Sequence, residues 1–113
     1  MNPLDASARG ITAGEVIRLY NDRGACLAAV QLSDEIRPGV IELPTGAWFD
    51  PLDARDPMTL EVHGNPNVLT RDVGTSRLAQ GSSAHTCLVE AERFDAELPP
   101  VTSFSQPRTS ECP

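Results

Sequence analysis

The segment from His63 to His85 reads HGNPNVLTRDVGTSRLAQGSSAH, and it decides how the rest of the chain is interpreted. Its few apolar residues recur with neither a helical nor a strand period, which predicts a loop rather than a packed element. A loop of this length in a compact domain is usually functional. Its small residues let the backbone approach a ligand closely, and Asn65, Asn67 and Gln80 each offer a hydrogen-bond donor and an acceptor. The composition predicts a ligand-facing loop that binds the edge of a planar heterocycle.

The length and charge of the chain limit what surrounds this loop. With 113 residues, of which 40% are hydrophobic, the chain is sufficient for one domain with a modest core. Its net charge of −7 argues against nucleic acid or an anionic membrane as the main partner. No apolar run is long enough to span a membrane, and no signal peptide is visible. We therefore expect a cytoplasmic protein, or a periplasmic one if a signal lies upstream.

The three cysteines, Cys26, Cys87 and Cys112, are too widely spaced to indicate a metal site. Zinc sites use clustered ligands, and only His63 and His85 could complete one here. We expect no metal site, two half-buried thiols in strands and a third thiol in the C-terminal tail. This pattern fits a reduced compartment.

Capping residues predict two short helices. Asn2 followed by Pro3 is typical of a helix N-terminus, so a first helix is predicted over Leu4 to Arg9. Asn67 could cap a second helix that lies within Leu69 to Ala79. Asn67 therefore has two explanations from sequence, as a helix cap or as a ligand-binding side chain.

Short β-rich runs separated by turns account for most of the remaining chain. The sequence from Asn21 to Gly24, NDRG, predicts a hairpin turn in which Asn21 and Arg23 are turn residues. The strand count and the scarcity of helix predict a mainly β domain over residues 1–96, as a barrel or a sandwich. Residues 97–113 are predicted to be an extended or disordered tail. The predicted strands are Val16–Tyr20, Ala25–Leu32, Val40–Leu43, Leu60–Val62 and Thr86–Phe94.

Several conspicuous side chains have ordinary structural explanations. Trp48 is the single Trp and is expected to cover an edge of the core, or else to line the pocket. Asp72 is expected to form an ion pair within the loop, with Arg71 or Arg77.

Three stretches of the chain resemble a known protein family. They are NPLDASARGITAGEVIRLYNDRG, RPGVIELPTGAWFDP and HGNPNVLTRDVGTSRLAQGSSAHTCLVEAE, which together cover about residues 2–95 in order. They resemble the C-terminal molybdopterin dinucleotide-binding domain of the dimethyl sulfoxide, trimethylamine N-oxide and biotin sulfoxide reductases. The resemblance implies a double-psi β-barrel of the aspartate decarboxylase-like type, incomplete at its N-terminal edge, with one or two short helices. It also implies a molybdenum bis(molybdopterin guanine dinucleotide) cofactor and the remaining domains of a parent reductase as partners.

The same resemblance assigns the candidate site residues. Asn67, in the pattern N-x-L-T, matches an Asn that hydrogen-bonds a pterin. Ala84 and His85 match a pair that contacts a pterin through the backbone and a side chain. The resemblance also places cofactor-lining residues in the same loop, namely Arg77, Gln80 and Gly81.

The resemblance assigns no catalytic residue to this chain, because the family's serine ligand to molybdenum comes from a different domain. The expected function is therefore to bind the cofactor as one part of an S-oxide or N-oxide reductase. One alternative is a stand-alone β-barrel interaction module that no longer binds the cofactor. A small hydrolase using His63 or His85 with Ser82 or Ser83 is a weaker alternative, because no G-x-S-x-G motif accompanies them.

Overall fold

A short helix begins where Asn2 and Pro3 predict one. The computed structural model describes residues 1–83 and 87–106, and its single α-helix in these ranges is α1, Pro3–Ala8. The Asn2 side-chain oxygen accepts the Leu4 N–H at 2.8 Å, and its amide nitrogen donates to the Ile36 carbonyl oxygen at 2.7 Å. The predicted helix over Leu4 to Arg9 is confirmed to within one residue at each end.

The predicted hairpin forms the centre of the sheet. Strand β1 is Val16–Tyr20 and strand β2 is Ala25–Ala29. They pair antiparallel from Val16 opposite Ala29 to Tyr20 opposite Ala25. Ile17 and Leu19 are buried while their neighbours in β1 are partly exposed, as the alternating sequence requires.

Two further strands flank the hairpin in the order β3-β2-β1-β4. Strand β3, Leu60–Glu61, runs parallel to β2, and strand β4, Glu90–Arg93, runs antiparallel to β1. The prediction of a mainly β domain is confirmed. Among the described residues, the four strands form a mixed sheet in which β3 and β4 do not pair with each other.

One face of this sheet carries the core, and the core includes the first residue after the short 3₁₀ helix Pro66–Val68. That residue, Leu69, is only 3% exposed. Leu69 therefore anchors the ligand-facing loop in the core near the start of the loop. The buried cluster consists of Met1, Ala6, Ile11, Ile17, Leu19, Cys26, Val30 and Leu69.

Two predicted elements are wrong. Residues 40–43 form no strand, although Ile41 and Leu43 pack partly buried against the core. Residues 69–79 form no helix; the Ser76 hydroxyl oxygen accepts the N–H groups of Leu78 and Ala79, at 3.3 and 2.8 Å. Such local side-chain hydrogen bonds compete with helix formation.

The other strand predictions are correct in place but too long. The strand predicted over Ala25 to Leu32 ends at Ala29, and the one predicted over Leu60 to Val62 ends at Glu61. The strand predicted over Thr86 to Phe94 is Glu90–Arg93, and residue 86 lies outside the described residues.

Candidate functional site

A buried carboxylate organises the first residues of the loop. Glu61, at the end of β3, is fully buried. Its oxygens accept backbone N–H groups from Asp50 at 3.2 Å, His63 at 3.0 Å, Gly64 at 2.8 Å and Asn65 at 2.7 Å. A buried charge is tolerated when hydrogen bonds replace its water shell. These hydrogen bonds turn the chain away from β3 at the point where the loop begins.

The carboxylate of Glu61 also affects the pKa of Cys26 in β2. Burial, together with the nearby negative charge of Glu61, raises the pKa of the Cys26 thiol to about 12. Cys26 is fully buried rather than half-buried as predicted, so it is a core thiol that stays protonated. The prediction of a half-buried thiol is correct for Cys87, which lies before β4 rather than within a strand.

Asn65, and not Asn67, caps the short helix that follows. The Asn65 side-chain oxygen accepts the Asn67 N–H at 2.9 Å, and its amide nitrogen donates to the Ala47 carbonyl oxygen at 3.0 Å. Asn67 lies inside the 3₁₀ helix and is exposed. In the described part of the chain its carboxamide makes no hydrogen bond, so both of its polar atoms are available to a ligand.

An open cleft of about 500 Å³ lies beside Asn67. Gln80 and Gly81 also line this cleft, so the structure brings together three of the six predicted site residues. Arg77 is exposed and does not line this cleft. Ala84 and His85 lie outside the described residues. The remaining residues of the lining are Thr70, Arg71, Asp72, Val73, Gly74, Ser82 and Ser83.

The Gln80 side chain folds across the backbone of Gly74. Its Nε2 donates to the Ser76 carbonyl oxygen at 3.3 Å. A Cβ at position 74 would collide with the Gln80 carboxamide oxygen. The glycine at this position therefore lets the Gln80 side chain lie against the backbone. The residues that line the cleft therefore include two with carboxamide side chains, Asn67 and Gln80.

The predicted ion pair in this loop is absent. Among the described residues, Asp72 forms no salt bridge with Arg71 or Arg77. Arg71 and Asp72 instead both line the open cleft, as one cation and one anion.

A second polar cluster joins the C-terminal segment to the loop entrance. Asp50 is buried, and its carboxylate accepts the N–H groups of Thr102 at 2.5 Å and Ser103 at 2.9 Å, as well as both hydroxyl groups. Burial alone would raise the pKa of Asp50, but these hydrogen bonds from Thr102 and Ser103 outweigh it and lower the pKa. The segment predicted as a tail thus has a fixed attachment to the domain.

His63 and Phe104 extend the same cluster. The Nδ1 of His63 lies 3.0 Å from the Trp48 carbonyl oxygen and 3.1 Å from the Ser103 hydroxyl. The Phe104 ring packs edge-on against His63 with centroids 5.2 Å apart. Trp48 is 68% exposed, so it does not cover the core as expected. The Ser103 hydroxyl lies between Asp50 and His63, an order that does not match a hydrolytic triad, in which the histidine lies between the acid and the serine.

Sequence reasoning missed the buried carboxylates of Glu61 and Asp50. In the sequence, Asp50 before Pro51 is typical of a turn, and a single Glu such as Glu61 is common at a strand end. Their hydrogen-bond partners lie up to 53 positions away, so the sequence does not reveal them. In the described ranges, no group of three or more His, Cys, Asp or Glu side chains could hold a metal ion, and no helix is long and apolar enough to cross a membrane.

Comparison with known proteins identifies the same part of the chain. The family model of the molydopterin dinucleotide binding domain matches residues 1–88. The trimethylamine-N-oxide reductase of Vibrio cholerae serotype O1 is 50% identical over 107 residues, which cover 95% of this chain and 13% of that protein. The dimethyl sulfoxide/trimethylamine N-oxide reductase of Rhodobacter capsulatus is 44% identical over 111 residues, covering 98% of this chain and 14% of that protein. The chain thus spans a small share of the length of these relatives.

Proposed function

The chain belongs to the family of molydopterin dinucleotide binding domains, and we propose that it binds a molybdenum bis(molybdopterin guanine dinucleotide) cofactor through the cleft beside Asn67. The observation that carries this proposal is Asn67, an exposed residue that lines an open cleft and whose carboxamide has no hydrogen-bond partner among the described residues. Gln80 offers a second carboxamide, and Gly81 lines the same cleft.

The chemistry of this wall fits the edge of a pterin or a guanine. Such an edge presents alternating donors and acceptors, and a primary carboxamide can satisfy one of each. Leaving such groups buried and unpaired would cost about 1–3 kcal/mol each. Ala84 and His85, which adjoin the cleft in sequence, are proposed to contribute further contacts, and Arg77 a more peripheral one.

The contribution of this chain is to bind and orient the cofactor, not to react. When bound, the cofactor supplies two-electron and oxygen-atom transfer chemistry. Asn67 and Gln80 would fix the heterocycle edge, while the 3₁₀ helix and the loop would exclude water from that side of it. We assign no residue of this chain a catalytic role.

We further propose that the chain serves as the C-terminal domain of an S-oxide or N-oxide reductase, with the other domains as its partners. The names of the relatives support trimethylamine N-oxide or dimethyl sulfoxide as the substrate class. A biotin sulfoxide reductase-like specificity is a narrower proposal that rests on the resemblance in sequence. We also propose a cytoplasmic location, in keeping with the free thiols of Cys26 and Cys87.

A hybrid enzyme tests the proposal. The matching 107-residue segment of the Vibrio cholerae reductase would be replaced by the corresponding residues of this chain. We expect the purified hybrid to contain molybdenum and pterin in amounts close to those of the parent enzyme, and to reduce trimethylamine N-oxide.

The matched control is the same hybrid with an unrelated β domain in that position, which should lack the cofactor. A folded hybrid that carries this chain and contains no pterin would refute the proposal. That result would favour the alternative, an interaction module that does not bind the cofactor.

A further inference from the structure

The hairpin turn between β1 and β2 contacts the ligand-facing loop near its start, at Leu69, and the chain just after the loop, at Leu88. The Nδ2 of Asn21 donates to the Leu69 carbonyl oxygen at 2.9 Å and to the Leu88 carbonyl oxygen at 3.0 Å. The Nε of Arg23 donates to the same Leu69 oxygen at 2.8 Å. Leu69 lies near the start of the loop and Leu88 lies three residues after its end, so a single turn holds these two points at a fixed separation.

The thiol of Cys87 completes this group of contacts. Its Sγ donates to the Leu69 carbonyl oxygen at 2.8 Å, and it lies 3.4 Å from Asn21 Nδ2 and 3.5 Å from Arg23 Nη2. Three side chains therefore converge on one carbonyl oxygen at the start of the loop. We call Asn21, Arg23 and Cys87 the loop clamp.

These contacts are not needed to make the turn. The turn uses the Asn21 side-chain oxygen, which accepts the N–H groups of Arg23 at 2.9 Å and Gly24 at 3.3 Å. The amide nitrogen of Asn21 and the guanidinium of Arg23 instead point to the loop. Holding a long Arg side chain in one conformation costs roughly 1.5–2 kcal/mol of entropy, so its hydrogen bonds must offset that cost.

A close backbone approach supports the same conclusion independently. A Cβ at Gly24 would lie 2.6 Å from the Val68 carbonyl oxygen. Any larger residue at position 24 would push the turn away from the 3₁₀ helix that carries Asn67. The turn and the base of the loop are therefore in direct contact at Val68, and the clamp binds the next residue, Leu69.

We propose that the loop clamp consists of positioning residues, which fix Leu69 relative to Leu88 and thereby set the distance between Asn67 and Gln80 in the cleft. The inference rests on the proposed function, because that distance matters only if the cleft holds the cofactor. Asn67 lies just before the first clamped residue, and Gln80 lies on the part of the loop that returns to Cys87.

The clamp can be tested in the 113-residue chain without any cofactor. Asn21→Asp keeps the oxygen that makes the turn and removes the donors to the loop. Asn21→Ala removes the same donors without adding a charge. Asp22→Asn, an isosteric change at the exposed neighbour, is the matched control. The readout is the rate of alkylation of each cysteine by iodoacetamide, resolved by mass spectrometry.

Cys26 and Cys87 together distinguish opening of the clamp from unfolding of the domain. Cys26 is fully buried in β2, so its alkylation reports global opening. We expect Asn21→Asp and Asn21→Ala to accelerate alkylation of Cys87 about tenfold, because each variant loses roughly two weak hydrogen bonds. Cys26 should stay unreactive in both variants. An unchanged Cys87 rate in both variants, or a parallel rise at Cys26, would overturn the clamp.

Its role in positioning is tested in the hybrid reductase. We expect both Asn21→Asp and Asn67→Ala to lower the pterin content several-fold, and Asp22→Asn to leave it unchanged. A normal pterin content in Asn21→Asp, with a reduced content in Asn67→Ala, would refute the positioning role alone. A normal content in Asn67→Ala would instead refute the assignment of the site, and the alkylation result would still decide whether the clamp exists.

Discussion

Asn65 and Asn67 are separated by one residue and differ in their surroundings. Asn65 is buried and caps the 3₁₀ helix, whereas Asn67 is exposed beside the cleft. Asn65→Ala should lower the free energy of unfolding of the 113-residue chain by about 1–2 kcal/mol, because a cap and a buried amide contact are lost. Asn67→Ala should change it by less than about 0.5 kcal/mol. Urea denaturation measures both, and an equal loss for the two variants would contradict these roles.

Asp50 predicts how the C-terminal segment responds to pH. Hydrogen bonds from Thr102 and Ser103 hold the pKa of Asp50 below its usual value, against the effect of burial. A carboxyl group with a lowered pKa in the folded state stabilises that state at every pH above its unfolded pKa of about 3.9. This stabilisation is lost as the pH falls from that value through the folded-state pKa. The attachment of the segment should therefore hold at neutral pH and fail in acid.

Hydrogen exchange at Thr102 and Ser103 measures this attachment. Asp50→Asn removes one acceptor oxygen and the charge, so these two amides should exchange faster than in the unchanged chain at pH 6. Asp56→Asn, at an exposed turn, is the control and should leave them unaffected. Amides at these positions that exchange equally fast in all three proteins would show that the segment is as mobile as its composition predicts.

At the scale of elements, β1 contributes Ile17 and Leu19 to the core. Leu19 is 2% exposed at the centre of the sheet, so Leu19→Ala should lower the free energy of unfolding by about 2–5 kcal/mol. Arg18, its neighbour on the other face, forms a surface ion pair with Glu92 at 2.8 Å. Arg18→Ala should therefore cost less than about 1 kcal/mol. Thermal denaturation of both variants would check this, and a larger loss for Arg18→Ala would be inconsistent with the sheet described.

The elements that the sequence predicts well are those that local signals determine. The NDRG turn and the alternation in Val16–Tyr20 are sufficient to specify the hairpin and its buried face. Residues 40–43 are apolar enough for a strand, but no neighbouring strand pairs with them in the described structure. Strand formation depends on that neighbour, which local sequence does not reveal.

The candidate site was predictable only in part, for the same reason. Composition and resemblance point to Asn67, Gln80 and Gly81, which do line one cleft. They do not distinguish Asn65 from Asn67 as the cap, because both precede apolar residues of the loop. The roles of Asp50 and Asn21 depend on partners up to 53 and 67 residues away, which only the folded chain brings together.

At the scale of the molecule, the cleft is one wall of a site. It is open, and the resemblance places the molybdenum ligand in another domain. We therefore predict that the 113-residue chain alone reduces neither trimethylamine N-oxide nor dimethyl sulfoxide, with or without added cofactor. A standard assay with reduced viologen dye checks this, with the Vibrio cholerae reductase as the positive control. Turnover by the purified chain would show that it contains more of the active site than we assign.

The most direct test of the central claim is the pterin content of the hybrid reductase that carries Asn67→Ala. Loss of two hydrogen bonds to a buried heterocycle edge should cost about 2–4 kcal/mol of binding, a decrease in affinity of roughly 30- to 1000-fold. The matched control is Gln31→Ala, at an exposed position that does not line the cleft. We predict that Asn67→Ala loses most of its pterin while it remains folded and that Gln31→Ala keeps its pterin. Equal and full pterin content in the two variants would contradict the assignment of this cleft as the cofactor site.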